Sequence, residues 1–254
     1  MPIVTGFTTT PVKSMALSRP DQIELSVFGC VGDRRFLCVR SDGRRLSGIS
    51  KAALMPIRPA YDAGAERLAL TFPDGSVVEG DANDFGEPLT VELFDRAIPA
   101  HFLHGPFTEA IRSHARDDTL SLARVVEPEY AGGTSRASVI SLASVADVGR
   151  HAGDERLDPR RFRMLIEIDG VEPYEEDTWQ GRRVAFGQAV VRVGHRMNRC
   201  VMTTLDPDTG EQNAPVLDAL AEHRKEGTEL LLGVSGDVDR PGAIAVGDDV
   251  VVLD

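Results

Sequence analysis

The chain consists largely of short β-like runs, and this pattern constrains its fold more than any other feature. In the first half, apolar and β-branched runs alternate with Gly and Pro at positions where the chain must reverse. The predicted strands there are Gln22–Phe28, Arg35–Arg40, Arg67–Phe72, Ser76–Glu79 and Leu89–Phe94. The turn signals are Asp42-Gly43, Asp74-Gly75 and Phe85-Gly86-Glu87-Pro88. Short strands at this spacing predict a barrel or a sandwich.

The second half continues this pattern and adds helix signals. Its β-like runs are Ser121–Glu127, Ser138–Ser141, Arg163–Ile168, Val184–Phe186, Ala189–Val193, Cys200–Leu205 and the closing stretch Gly242–Leu253. Three helices are predicted, at Phe107–Arg116, Ala143–His151 and Val216–Lys225, and the first and third follow a proline. The predicted fold class is therefore mainly β with a few helices (α+β). The 254 residues fit one large domain or two smaller ones.

Composition excludes several classes of protein. A formal net charge of −12 repels nucleic-acid phosphate. Cys30, Cys38 and Cys200 form no Cys-x-x-Cys pair, which disfavours a disulfide framework and a structural zinc site. No leader pattern and no run of apolar residues long enough to cross a bilayer is found, so we expect a cytoplasmic protein without membrane or nucleic-acid partners. The six histidines show no metal-ligand spacing, so we expect them on the surface or in the core.

The most informative stretch runs from Asn198 to Gly210 and reads Asn-Arg-Cys-Val-Met-Thr-Thr-Leu-Asp-Pro-Asp-Thr-Gly. A thiolate becomes a good metal ligand when cationic neighbours lower the pKa of the thiol, and Arg196 and Arg199 could supply that field. The alternative is that Cys200 is a small buried core residue.

This stretch resembles the signature of the MOSC family, which is named for the C-terminal domain of molybdenum cofactor sulfurase. Four further stretches agree with the family in order along the chain: Pro11-Val12-Lys13-Ser14, Gly32-Asp33-Arg34-Arg35-Phe36, Arg161-Phe162-Arg163 and Pro173-Tyr174-Glu175-Glu176-Asp177-Thr178-Trp179. The resemblance implies an N-terminal MOSC β-barrel domain at residues 1–120. It also implies a C-terminal MOSC β-barrel domain, which binds molybdenum cofactor (Mo-molybdopterin), at residues 121–254.

The resemblance also implies a set of site residues. In the family a pterin dithiolene and one protein cysteine hold molybdenum, and the matching position, Cys200, is the implied metal ligand and catalytic residue. The other implied cofactor-binding residues are Lys13, Ser14, Arg34, Arg35, Thr134, Ser135, Arg163 and Arg199. Charge-assisted hydrogen bonds to the phosphate end of the pterin explain the basic residues. The alternatives are solvated surface charges for the basic residues and turn positions for Ser14 and Thr134. Glu175, Glu176 and Asp177 are expected to be structural, and Trp179 to fill core space.

The two-part layout is similar to that of the bacterial reductases of N-hydroxylated bases and of the mitochondrial amidoxime reducing component. This implies a molybdenum-dependent oxidoreductase that reduces N–O compounds by oxygen-atom transfer. Three separated cysteines cannot build a [2Fe–2S] site that needs four, so we expect a separate electron donor, such as a flavin reductase, a ferredoxin or a cytochrome.

One departure from the family leaves the substrate open. Relatives commonly read Phe-Arg-Pro-Asn where this chain has Phe162-Arg163-Met164-Leu165, so an apolar side chain replaces a polar one. The alternatives to the reductase are a non-catalytic carrier of the cofactor or of persulfide sulfur on Cys200, and a biosynthetic enzyme that acts on another N–O compound.

Overall fold

The protein is built mainly from short, mostly antiparallel strands, as the sequence pattern predicts. The computed structural model describes the chain except residues 45, 47–48, 94–95 and 127–134. In chain order the strands are β1 (Ile3–Phe7), β2 (Val12–Lys13), β3 (Gln22–Ser26), β4 (Gly29–Cys30), β5 (Phe36–Arg40), β6 (Arg58–Asp62), β7 (Arg67–Thr71), β8 (Val77–Asp81), β9 (Phe85–Leu93), β10 (Arg96–Leu103), β11 (Leu120–Val125), β12 (Ala137–Ser141), β13 (Ile166–Asp169), β14 (Arg183–Phe186), β15 (Ala189–Asn198), β16 (Lys225–Glu226), β17 (Glu229–Arg240), β18 (Gly242–Ala245) and β19 (Val250–Val252).

The described residues form three α-helices, each within two residues of its predicted bounds. They are α1 (Phe107–Ala115), α2 (Leu142–Ala152) and α3 (Val216–His223), and short 3₁₀ helices occur at Ile49–Leu54, Pro159–Phe162, Glu175–Trp179 and Val201–Thr204. Helix α2 begins where the side chain of Ser141 accepts a hydrogen bond from the backbone N–H of Ser144 at 3.0 Å. The predicted fold class, mainly β with a few helices, is confirmed. Among the described residues, no helix has the length and apolar character needed to span a bilayer.

Strands from the beginning and the end of the chain share sheets. An eight-stranded sheet has the order β1-β13-β12-β17-β15-β14-β19, with β16 paired to β17, and a three-stranded sheet has the order β18-β3-β4. A five-stranded sheet, β2-β5-β11-β10-β9, and a three-stranded sheet, β6-β7-β8, contain only strands from the first half. Strands β1 and β3, which lie before residue 31, therefore pair with β13 and β18, which lie after residue 165. The division of the chain at residues 120 and 121 stays a prediction.

The hydrophobic core also combines residues from the beginning and the end of the chain. Val4 and Phe7 of β1 are fully buried in one apolar cluster with Ile166 of β13 and Trp179. The expectation that Trp179 fills core space is confirmed, since its side chain is 2% exposed. A second cluster, which includes Phe36 and residues of β7 and α1, fills the N-terminal half.

The predicted strand Cys200–Leu205 is wrong, because residues 201–204 form a 3₁₀ helix. The hydroxyl of Thr203 donates to the carbonyl of Cys200 at 3.0 Å, and that of Thr204 donates to the carbonyl of Val201 at 2.8 Å. Valine and threonine side chains gave the segment a strand-like composition, but these local hydrogen bonds favour a helical turn. The closing stretch Gly242–Leu253 is likewise two strands, β18 and β19, separated by residues 246–249.

Candidate functional site

Cys200 lies two residues beyond the end of strand β15, at the start of the 3₁₀ helix Val201–Thr204. Its backbone is extended, with φ −129° and ψ 178°, and its carbonyl accepts hydrogen bonds from the backbone N–H and the hydroxyl of Thr203, both at 3.0 Å. The turn that follows is held by Asp206, whose carboxylate accepts the backbone N–H groups of Asp208 and Thr209 at 3.0 Å each. The side chain of Cys200 is exposed. The motif therefore folds into a compact loop that carries an accessible thiol.

The glycine that ends this motif is required by a contact with the N-terminal half. Gly210 has a φ of +77°, and a Cβ atom at this position would lie 2.3 Å from the backbone oxygen of Ala52. Any other residue would therefore push the two segments apart. The Cys200 loop is thus packed directly against the first half of the chain.

The other two cysteines have a different environment. Cys30 and Cys38 are buried. Burial raises the pKa of the Cys30 thiol well above its ordinary range and raises that of Cys38 to about 12. Neither thiol therefore has the accessibility or the charge state that metal ligation needs. Of the three cysteines, Cys200 alone is exposed.

Arg199 is a buried residue whose guanidinium holds the Cys200 loop to its surroundings. Nε and Nη2 donate to the carbonyl of Leu232 at 2.9 and 2.6 Å, and Nη1 donates to the carbonyl of Phe162 at 3.2 Å. Nη2 also lies 3.0 Å from the sulfur of Met164. Burial lowers the pKa of Arg199 to about 10, and Cys200 acts in the opposite direction. A thiolate at Cys200 therefore stabilises the adjacent buried charge, although the side chain of Arg199 is engaged by protein acceptors.

Arg163 and Arg34 contact each other, and Arg163 follows Phe162, whose carbonyl accepts a hydrogen bond from Arg199. Arg163 is left-handed (φ 53°), and its Nη2 donates to the carbonyl of Met15 at 2.6 Å, while its buried Nη1 has no hydrogen-bond partner. Arg34 pairs with Asp33 and donates from Nη2 to the carbonyl of Arg163 at 2.8 Å. Burial, and then the charge of Arg34, lower the pKa of Arg163 to about 9, while Asp33 acts in the opposite direction. An anion in contact with Arg163 would relieve this unfavourable electrostatic balance.

Lys13, Ser14 and Arg35 lie on the N-terminal side of the same region. Lys13 ends strand β2 and is half-buried, and Ser14 is buried in a left-handed conformation with φ 73°. Ser14 directly precedes Met15, whose carbonyl accepts the hydrogen bond from Arg163. Arg35 lines a cavity of about 300 Å³ together with Asp33, Cys30, Tyr61 and Glu66, among others. The structure therefore brings Ser14 close to Arg163 and places Arg35 at a neighbouring cavity.

The polar loop near residue 135 is only partly described. Thr134 lies outside the described residues. Ser135 accepts a hydrogen bond from the hydroxyl of Ser235 at 3.5 Å, and Ser235 in turn lies 3.1 Å from Nε2 of His195. The next residue, Arg136, has a buried Nη1 atom without a partner.

Sequence reasoning missed Arg136 and Arg161 as site candidates. Arg161 is buried, and its Nη2 donates to the side chain of Asn213 at 2.7 Å, whereas its Nε and Nη1 have no partner. Asp206 lies 3.8 Å away, so Arg161 contacts the turn that follows Cys200. Arg136 directly follows Ser135, and Arg161 lies two residues before Arg163, both of which were selected. Their position in the sequence was therefore the available signal.

Leu165, the departure from the family pattern, lies in the core. Its side chain is 1% exposed and packs in the cluster that contains Ile166 and Trp179. Its backbone N–H donates to the hydroxyl of Ser138 at 2.9 Å. Leu165 therefore has no exposed surface with which to contact a substrate.

A continuous set of contacts joins most of the predicted residues. Arg199 bonds to the residues on either side of Arg163, and Arg163 contacts Arg34 and the residue after Ser14. We call Arg34, Arg163, Arg199 and Cys200 the arginine junction. Buried N–H donors without acceptors occur here on Arg163, and elsewhere among the described residues on Arg136 and Arg161. Such donors suit a phosphate group, and an exposed thiol suits a soft metal, so these residues fit a phosphorylated, metal-bearing cofactor.

Two family models match the chain. Residues 127–251 match the MOSC domain, and residues 1–100 match the MOSC N-terminal beta barrel domain. Together the two matches include every residue of the arginine junction.

Curated relatives agree with these matches over different lengths. The chain is 30% identical over 273 residues to mitochondrial amidoxime reducing component 2 of Bos taurus, covering 94% of this chain and 80% of the relative. It is 26% identical over 215 residues to mitochondrial amidoxime-reducing component 1 of Homo sapiens, covering 80% of this chain and 61% of the relative. It is 23% identical over 290 residues to molybdenum cofactor sulfurase of Bos taurus, covering 99% of this chain and 32% of the relative. The chain thus spans about a third of the sulfurase and less than two thirds of the human protein.

Proposed function

This chain belongs to the MOSC family, and from that premise we propose that it is a molybdenum-cofactor-dependent oxidoreductase that reduces N-hydroxylated or related N–O compounds. The names of the relatives support both parts of the proposal, the amidoxime-reducing components for the substrate class and the sulfurase for the cofactor. Fold alone does not fix a reaction, so the residues of the site must carry the argument.

The observation that carries the proposal is the exposed thiol of Cys200, which follows the buried Arg199 in sequence and is linked through it to the segment that carries Arg163. Arg163 presents a buried Nη1 donor without an acceptor, and burial together with the charge of Arg34 lowers its pKa to about 9. A phosphate oxygen would accept that hydrogen bond and offset the two cations. The accessible sulfur supplies the soft ligand that molybdenum prefers.

In this proposal each residue of the chain has a separate task. Cys200 ligates the metal, while Arg163, Arg34, Lys13 and Ser14 bind the phosphate end of the pterin. When bound, the cofactor supplies two-electron oxygen-atom-transfer chemistry. Arg199 is a positioning residue, because its bonds to the carbonyls of Phe162 and Leu232 fix the backbone on which Cys200 stands. Arg35, Thr134 and Ser135 remain proposed contacts at the edges of the site.

The remaining assignments follow from the chemistry of the chain. The three cysteines are all unpaired, which fits a reducing compartment and supports a cytoplasmic location.

A two-electron reduction needs a source of electrons. Because the cysteines do not form a cluster site, we propose a separate flavin reductase, ferredoxin or cytochrome as the donor. The substrate is a small molecule, and no membrane or nucleic-acid partner is proposed.

The experiment compares Cys200→Ser with Cys30→Ala in full-length protein purified from cells that make the cofactor. We expect wild-type protein to contain molybdenum and to convert a model amidoxime when a reduced dye supplies electrons. Cys200→Ser should lose both the metal and the turnover, whereas Cys30→Ala, which removes a buried thiol, should keep both. Mass spectrometry of the metal, product chromatography and circular dichroism are the measurements.

The outcome that would reject the proposal is specific. If Cys200→Ser folds, retains molybdenum and turns over at the wild-type rate, the thiol is not the metal ligand. If wild-type protein reconstituted with cofactor reduces no N–O compound, the reductase activity is rejected even though cofactor binding stands.

A second function, carriage of the cofactor or of persulfide sulfur on Cys200, is favoured by the match to the sulfurase over 99% of this chain. A carrier should exchange the cofactor with a recipient protein and show no reoxidation when substrate is added. A sulfur carrier should show an added sulfur on the peptide that contains Cys200. The reductase should show substrate-dependent reoxidation instead.

A further inference from the structure

A group of metal-ligating side chains lies between helices α2 and α3, in a part of the chain that the proposed function does not use. Asp147 and His151 are four residues apart on α2, so they share one face of that helix. His223 is the last residue of α3, which packs against α2. We call Asp147, His151 and His223 the histidine cluster. All three belong to the second half of the chain, but none is part of the arginine junction.

The ligand atoms of the histidine cluster are close enough to share one ion. One ligand atom from each residue can be chosen so that all three lie within 4.8 Å of one another. The carboxylate Oδ2 of Asp147 is 3.7 Å from Nδ1 of His151 and 3.7 Å from Nε2 of His223. Ligands of tetrahedral zinc at about 2.0–2.2 Å from the metal lie roughly 3.3 Å apart. Nδ1 of His151 also lies 2.9 Å from the backbone carbonyl of Asp147. Rotation of this ring would exchange that contact for the ion and bring the three atoms to ligating positions.

The surroundings hold these side chains in place. The imidazole rings of His151 and His223 stack with their centroids 3.8 Å apart. The hydroxyl of Tyr174 donates to Oδ2 of Asp147 at 2.5 Å and lies 3.1 Å from Nε2 of His223. The Tyr174 ring is itself covered by the guanidinium of Arg224 at 4.0 Å. These contacts keep the three side chains together in the absence of an ion, and binding requires the stacked rings to tilt so that their nitrogen lone pairs converge.

We propose that Asp147, His151 and His223 form a divalent transition-metal site of the zinc class. Two imidazoles and one carboxylate suit Zn²⁺ and its neighbours, whereas Ca²⁺ and Mg²⁺ require mostly oxygen ligands. Because the ligands come from two helices, the bound ion joins α2 to α3 and stabilises the fold of the C-terminal half. Three protein ligands leave a fourth position for water, and Tyr174 lies beside that position through its contacts with Asp147 and His223.

The experiment titrates Zn²⁺ into the full-length protein by calorimetry and follows the Tm at several zinc concentrations. Wild-type protein should bind one Zn²⁺ at this site, and its Tm should rise with the concentration of free zinc. Ca²⁺ and Mg²⁺ should produce neither effect. His151→Ala and His223→Ala should each weaken zinc binding by at least about tenfold and remove the rise in Tm. His223→Gln retains most of the side-chain volume and serves if the alanine variant does not fold.

The control variants separate this site from other zinc ligands. His104→Ala removes another histidine with a carboxylate partner, since its Nδ1 lies 3.1 Å from Asp84 on the exposed surface, and it should bind zinc as the wild type does. Cys200→Ser removes the exposed thiol and should also keep the response. The proposal is overturned if the His151 and His223 variants fold and bind zinc with wild-type affinity, or if the response disappears in Cys200→Ser alone.

Discussion

The arginine junction and the histidine cluster present opposite chemistry to a ligand. At the junction, buried guanidinium groups carry more N–H donors than the protein has acceptors for, as Nη1 of Arg163 shows. At the cluster, carboxylate and imidazole atoms converge within 4.8 Å. The first arrangement suits an anion and the second suits a cation, although the whole chain has a net charge of −12. Local balance of donors and acceptors therefore predicts the class of ligand, whereas net charge does not.

The largest effect is expected at the support of the junction. Arg199→Leu removes the donors of two buried carbonyl groups, those of Phe162 and Leu232, and should lower the free energy of unfolding by about 3 kcal/mol. Urea unfolding measures this loss. The matched control is Arg192→Leu, whose guanidinium pairs with Asp239 on the surface and which should change stability by no more than about 0.5 kcal/mol. Equal effects of the two substitutions would contradict the assigned role of Arg199.

A smaller effect, on cofactor binding rather than stability, is expected at Arg163. Arg163→Gln should weaken retention of the cofactor about 30-fold, or about 2 kcal/mol, because it removes one charge-assisted hydrogen bond. Molybdenum content after dialysis measures the retention. The same variant should bind Zn²⁺ as the wild type does, because the histidine cluster is separate. Full retention of molybdenum by folded Arg163→Gln would show that the unpartnered donor does not bind the cofactor.

The smallest effect is expected beside the histidine cluster, at Glu176. This buried carboxylate accepts hydrogen bonds from the backbone of Ser141 at 3.2 Å and the hydroxyl of Ser144 at 3.0 Å. Ser144 also accepts the backbone N–H of Tyr174 at 2.7 Å. Glu176→Gln can keep both bonds, so the free energy of unfolding at pH 7 should change by less than about 1 kcal/mol. Cofactor retention should not change.

The direction in which stability changes with pH follows from the pKa of Glu176. Burial raises the pKa of Glu176, so the native state binds a proton more readily than the unfolded chain. The stability that this group contributes is present below the ordinary pKa of glutamate and is lost as the pH rises through the native value. Wild-type protein should therefore lose more stability over that window than Glu176→Gln. Parallel pH profiles from chemical unfolding would contradict this.

Local sequence patterns predicted much of the fold and part of the site. The three α-helices were predicted within two residues because proline, capping residues and apolar spacing act over a few positions. The motif around Cys200 predicted the family and an accessible thiol. Arg34 and Arg163 were selected from motifs that lie 129 residues apart, and the structure brings them into contact.

Other features depend on contacts between residues that are far apart in the chain, and local sequence patterns do not predict such contacts. Leu165 stood at a position that relatives use for a polar residue, and only its packing against Ile166 and Trp179 shows that it is a core residue. Spacing between the histidines did not indicate Asp147 and His151, although these two residues stand four positions apart on a predicted helix. His223 is 72 residues beyond His151 and joins them only because α3 packs against α2.

Local patterns in the sequence specified most of the strands and helices, the family and the motif that contains the exposed cysteine, because these depend on neighbouring residues. Which polar groups are buried, and what each one contacts, became clear only from the folded chain. Arg199 and Arg163 show the difference, since they are residues of the same type in two motifs of the family. The N–H donors of Arg199 are bonded to backbone carbonyls, whereas Arg163 retains a buried N–H donor without a partner. Burial and hydrogen bonding are set by the packing of segments that are far apart in the chain, so no local pattern can specify them.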